Sequence, residues 1–175
     1  MKKLFLLSAL LLLIGSAFAQ TILYRYYNPK QGKHYYTTNF GEYGTGGNGL
    51  YLDGPQCMVF DHPDRGLIPL LRYYNARNGD HYYTNSFREL GRGANGYAFE
   101  GTACYIAQNP GPRLVPLFAF LNSNTGEHFL TTSRDEMRQD YTGFVFTGIA
   151  GYVIPLGRDA DHARFRGRDF YRDHH

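Results

Sequence analysis

The sequence predicts an all-β domain with pseudo-three-fold symmetry, a β-trefoil of three 47-residue units, with a β-prism as the alternative. Three observations carry this. Leu23-Tyr24-Arg25-Tyr26-Tyr27-Asn28 returns as Leu70-Leu71-Arg72-Tyr73-Tyr74-Asn75 and again as Leu117-Phe118-Ala119-Phe120-Leu121-Asn122, each step being 47 residues. The same step carries Gly32, His34, Thr37, Glu42, Gly49 and Gly54 into the second and third copies without insertion or deletion. No segment sustains a 3.6-residue apolar period, which excludes helical repeats. Propellers use four or more blades, so three units favour another closed arrangement that leaves few sheet edges.

The chain opens with Lys2 and Lys3, then the apolar run from Leu4 to Ile14, then Ala17-Phe18-Ala19. This reads as a secretory signal peptide over residues 1–19, cleaved before Gln20. The domain follows over 20–157, in units of about 22–68, 69–115 and 116–157. Each unit reads as two hairpins. The first pairs residues 23–28 with 33–39, both rich in Tyr and Thr, across Pro29-Lys30-Gln31-Gly32. A short turn around Glu42, Glu89 or Glu136 comes next. The second hairpin joins Leu50-Tyr51-Leu52 to Met58-Val59-Phe60 through a Gly54 turn. On the first strand, Tyr24, Tyr26 and Asn28 are expected to face the core and Arg25 and Tyr27 the solvent. Residues 158–175 leave the repeat as a tail of mixed charge.

The motifs YRYYN, GxHYYT and GYxFEG resemble a tyrosine-rich secreted repeat family catalogued as a domain of unknown function. The resemblance spans residues 22–156 and implies an extracellular accessory or binding role, in a family found in bacteria and fungi and often appended to exported hydrolases. It implies no chemistry. The third unit departs most, with Ala119 in place of the arginine, Thr147 in place of Asp53 and Glu100, and Leu121 and Leu130 in place of tyrosines.

Composition excludes several classes. Removing Lys2 and Lys3 lowers the 18 basic residues to 16 against 15 acidic, a net charge of +1, which argues against nucleic acid as a partner. No apolar run beyond the leader is long enough for a membrane span. The mature chain has 27 Tyr and Phe, too many for disorder. Cys57 and Cys104 occupy equivalent positions in an exported chain, so they form either one disulfide or two buried thiols.

His34, His81 and His128 each follow a turn glycine by two residues. They read as hairpin anchors, as ligand contacts, or as a shared metal site if the rings converge. Arg25 with Tyr27, and Arg72 with Tyr74, read as an outward sugar- or carboxylate-binding pair or as a stacked surface pair. Catalytic signatures are missing: there is no G-x-S-x-G, no H-E-x-x-H and no P-loop. A regular three-fold array also does not assemble one asymmetric site.

The sequence thus leads to a secreted or periplasmic, non-enzymatic, monomeric binding module without cofactor. It would recognise a glycan or another extracellular surface ligand through one weak site per repeat. The candidate contacts are Arg25, Tyr27, His34, Arg72, Tyr74, His81, Asn122 and His128. The alternatives are a structural or protein-interaction module of the cell envelope, and an inhibitor-like trefoil presenting one loop to an enzyme.

Overall fold

A computed structural model describes residues 19–139 and 142–157, and over them the chain is all-β. The leader, except for Ala19, and the tail over 158–175 lie outside the described residues. The first repeat holds β1 (Gln20–Asn28), β2 (Lys33–Thr37), a 3-10 turn (Phe40–Glu42), the two-residue β3 (Gly46–Gly47) and β4 (Leu50–Phe60). The second holds β5 (Leu67–Asn75), β6 (Asp80–Thr84), α1 (Phe87–Leu90), β7 (Gly93–Ala94) and β8 (Tyr97–Ala107). The third holds β9 (Val115–Asn122), β10 (His128–Thr131), α2 (Glu136–Gln139) and β11 (Phe144–Val153).

Every repeat is built on three antiparallel strands with its first strand in the middle, ordered β2-β1-β4, β6-β5-β8 and β10-β9-β11, and the short β3 and β7 add to the free edges of β4 and β8. The long last strands meet one another at their ends. Phe60 pairs with Tyr105, Ala107 with Tyr152, and Ile154 with Met58, which closes the three ribbons into a ring.

Local chemistry explains the repeated motif letters. Asn28 Oδ1 accepts from the backbone N–H groups of Lys30 and Gln31, and Asn122 Oδ1 from those of Asn124 and Thr125. The asparagine therefore builds the hairpin turn. Gly32 closes that turn at a φ of 62°, its N–H bonding Asn28 O at 2.8 Å, a conformation that a side chain resists. Thr37, Thr84 and Thr131 accept from the backbone two residues on, starting the helical turn. Glu42 then ties that turn back to β2 by accepting from Thr37 Oγ1 and Tyr35 Oη.

The expected second hairpin does not form. Leu50–Phe60 is one strand, and Gly54, at a φ of 129°, sits in a bulge opposite Arg25 with register shifts on either side. Glycine marks a turn and a bulge equally well in sequence, and here the extra backbone freedom bends a continuous strand.

The core lies where the three inner faces meet. Leu23, Leu70 and Leu117 pack there with Val59, Ile106 and Val153, and with Tyr36, Tyr83 and Leu130. Removing a side chain such as Leu70 wholly from water contributes roughly 1.5–3 kcal/mol. Arg25 lies on this same face, 4 % exposed, and not on an outward one. The error follows from burial of both faces. The helical turn folds over the opposite side, so Tyr26 and Tyr73 are also fully buried and bond Gly44 O and Gly91 O. Cys57 and Cys104 join the same core cluster, and burial followed by the neighbouring Cys57 pushes the Cys104 thiol up. Alkylation of denatured, unreduced protein decides the bridge, two labelled cysteines excluding it.

Candidate functional site at the junctions between repeats

The polar groups gather where the inner-edge strand of one repeat meets the face of the next. The β2-type strands, which carry the three histidines, contact one another. At the junction of repeats three and one, the Arg25 guanidinium donates to Asp53 of its own repeat and to Glu136 Oε1 at 2.7 Å. It also lies 4.9 Å from the Phe129 ring centre. His34 packs on Phe129 at 4.7 Å, and both its backbone N–H and its Nδ1 reach Glu127 Oε1, at 2.9 and 2.5 Å.

One step round the ring, the equivalent atoms meet again. Arg72 Nε donates to Glu100 Oε2 at 2.9 Å, with Glu42 at 3.8 Å, and its guanidinium stands 5.2 Å over the Tyr35 ring. His81 packs edge-on against Tyr35 at 4.6 Å and lies tilted by 32° on Tyr74 at 4.7 Å. Lys33 occupies the position that Glu127 holds for His34, and its ammonium instead donates to Thr125 O at 2.7 Å.

The junction of repeats two and three differs. Asp80, 0 % exposed, accepts from the His128 backbone at 3.1 Å, from His128 Nδ1 at 2.7 Å and from Tyr97 Oη at 2.5 Å. His128 lies 4.2 Å from Tyr82. Ala119 and Thr147 stand where the other repeats have the arginine and its acid.

Electrostatics follow from these neighbours. Burial would lower the Arg25 guanidinium, but Asp53 and then Glu136 outweigh it and hold the group well above its ordinary value. Burial would raise the Asp80 carboxyl, yet the hydrogen bonds from His128 and Tyr97 bring it below the usual range. Ionised Asp80 is an acceptor only, so His128 Nδ1 carries the proton of this contact. Burial, and then Arg72, lower His81 to about 4, so its imidazole is neutral at physiological pH.

The structure thus joins Arg25, Tyr27 and His34 in one closed junction, and Arg72, Tyr74 and His81 in a more open one. The Arg25 and His34 side chains are each 5 % exposed, against 21 % for Arg72 and 17 % for His81. His128 stands at the third junction with its side chain 25 % exposed. Asn122 is buried in its turn, with Oδ1 and Nδ2 both bonded to backbone. The residues that sequence reasoning missed are Lys33, Asp80 and Glu127, directly before each histidine, and the hydroxyls of Tyr36 and Tyr83. Their partners lie in other repeats, and the only signal was three-fold recurrence itself. Among the described residues no cluster of three His, Cys, Asp or Glu side chains could hold a metal ion. Nor is any helix there long and apolar enough to cross a membrane.

Fold and junctions together define a three-repeat all-β domain whose repeats are joined through equivalent positions of the repeat unit. The chain belongs to the family described as Domain of unknown function (DUF5648), which matches residues 22–154. No curated protein and no solved structure matches it.

Proposed function

We propose that the domain is a secreted, non-enzymatic binding module that recognises carbohydrate at the junction of repeats one and two. The supporting observation is the half-open cluster of Arg72, Tyr74 and His81 with Glu100. There, an aromatic ring, a neutral imidazole and charged hydrogen-bonding groups share one partly exposed surface. Sugars present apolar C–H faces to such rings and hydroxyls to such donors and acceptors. The buried counterpart around Arg25 offers little to a ligand, so the reading narrows from one site per repeat to the junction of repeats one and two. For the architecture, the β-trefoil and the β-prism both remain readings of this three-fold all-β arrangement, since strand number does not separate them.

Arg72→Ala is expected to weaken retention on immobilised polysaccharide several-fold, with a loss of stability of about 1 kcal/mol or less, because its acids are partly solvated. His81→Ala should weaken retention in parallel. Since His81 protonates only near pH 4, its share of binding should not change between pH 8 and 6. Unchanged retention of both variants on every polysaccharide that holds the parent would overturn the assignment. A protein-interaction role is the second reading, favoured by Phe40, Phe87 and Phe146, all at least 40 % exposed on the outer side.

A further inference from the structure

The three junctions are three copies of one arrangement, and two of them contain a bound guanidinium. Arg25 sits against Phe129 and Glu136, and Arg72 against Tyr35 and Glu42. Both arginines come from the repeat following the ring and the glutamate, so each behaves as a cation docked between an aromatic face and a carboxylate. The corresponding ring and glutamate at the third junction are Tyr82 and Glu89. They are retained: Tyr82 Oη donates to Glu89 Oε2 at 2.5 Å, as Tyr35 Oη does to Glu42. The cation is missing, because the next repeat supplies Ala119, opposite the bulge glycine Gly148 as Arg25 is opposite Gly54.

The second acid is lost together with the arginine. Asp53 and Glu100 become Thr147, which is exposed, as is Glu89. Had a carboxylate remained at 147 as well, two acids would face each other without a counter-charge. Asp80 at this junction is already taken up by His128 and Tyr97, so beside the Tyr82 ring the acid left is Glu89, bonded by the Tyr82 hydroxyl. His128 also departs from its counterparts. It is tilted 41° on Tyr82 at 4.2 Å, whereas His81 meets Tyr35 at 74° and His34 meets Phe129 at 84°. The imidazole thus lies flatter against the ring than at the two junctions where an arginine also stands on it.

We infer that the junction of repeats two and three is a docking seat for an external guanidinium group, taken between the Tyr82 ring and the Glu89 carboxylate. The ligand class is set by what the same seat holds twice within this chain. It goes beyond the carbohydrate site at the neighbouring junction and uses different residues. Planar guanidinium fits better than ammonium, because the internal examples stack on a ring while donating sideways to carboxylates. Entry of the group is expected to stand the His128 ring upright, which makes His128 and Tyr82 the natural reporters.

The test is NMR titration of the mature protein with N-acetyl-arginine methylamide, following the His128 and Tyr82 ring signals. Saturable shifts at millimolar concentration are expected. The lysine analogue should bind several-fold more weakly, and the uncharged, nearly isosteric citrulline analogue should give no saturable shift. Glu89→Gln, a change at an exposed residue, should reduce binding about tenfold. Ala119→Arg should place the chain's own guanidinium in the seat and abolish the response while keeping or raising the melting temperature. Methylguanidinium and the peptide Gly-Arg-Gly separate the sources: similar affinity means that the group alone is read, and tighter peptide binding means an arginine presented by a polypeptide. Equal responses to arginine and citrulline analogues, or a response undiminished by Glu89→Gln, would overturn the inference. Because Arg72 and His81 lie elsewhere, loss of polysaccharide retention in their variants leaves this result unaffected, and the reverse holds too.

Discussion

Arg25→Ala is expected to be the most damaging single change at any junction, destabilising the domain by about 3–5 kcal/mol. The guanidinium is buried and serves Asp53 within its repeat and Glu136 from the last one. Truncation would leave the Glu136 side chain, itself 5 % exposed, without this counter-ion in a place that water reaches poorly. Its cost would be the desolvation of a charge and not merely one lost hydrogen bond. The contact joins the third repeat back to the first, so the loss also loosens ring closure. For a chain of this size such a deficit lowers the melting temperature by roughly 10 °C or more. Arg25→Lys keeps the charge but not the planar fork, and should fall between parent and alanine variant. Urea melts of both variants beside Arg72→Ala check the ordering. An Arg25→Ala midpoint no lower than that of Arg72→Ala would mean that burial does not set the strength of these bridges.

What sequence made legible and what it hid divide along a physical line. Local periodicity exposed the all-β class, the three copies and the hairpin turns, because Asn28, Gly32 and Thr37 act within a few residues of themselves. Gly54 was misread because a bulge and a turn ask the same freedom of one residue. The facing of Arg25 was misread because alternation gives two faces but not their labels, and here the helical turn buries the second one too. The ring contacts were hidden by separation: Arg25 and Glu136 stand 111 residues apart, and His34 and Glu127 stand 93 apart. One trace of them was nevertheless visible. The third repeat loses the arginine and the acid together, at Ala119 and Thr147, as expected of two residues that exist for each other. Read as a coupled change, a reading that sequence reasoning missed, that pair points to an Arg–acid bridge in the other copies.

Tyr36→Phe should be the second most costly change, at about 2–4 kcal/mol, although it removes a single oxygen. Inner-edge strands leave backbone groups facing away from their hairpin partner, and in this ring those groups point at the next repeat. Tyr36 Oη meets both, donating to Leu130 O at 2.7 Å and accepting from Leu130 N at 2.9 Å. Tyr83 does the same for Tyr36, at 2.7 and 2.8 Å, so each hydroxyl serves as a substitute strand for one residue of the neighbouring repeat. Both tyrosines are buried, and phenylalanine would leave a donor and an acceptor unpaired where water cannot replace the hydroxyl. Tyr26 supplies the control. Its hydroxyl donates to Gly44 O, at 2.8 Å, and Tyr26→Phe should cost about 1 kcal/mol. Hydrogen exchange locates the effect: the Leu130 amide should lose protection in Tyr36→Phe, and the Tyr36 amide in Tyr83→Phe, each beyond the global change. Equal exchange at both amides in the two variants would show that the hydroxyls fill space without capping the strands. The third position of this relay is Leu130, which has no hydroxyl to offer Tyr83. The junction of repeats two and three therefore lacks both the arginine bridge and the tyrosine cap, and it should be the first to open when the ring is strained.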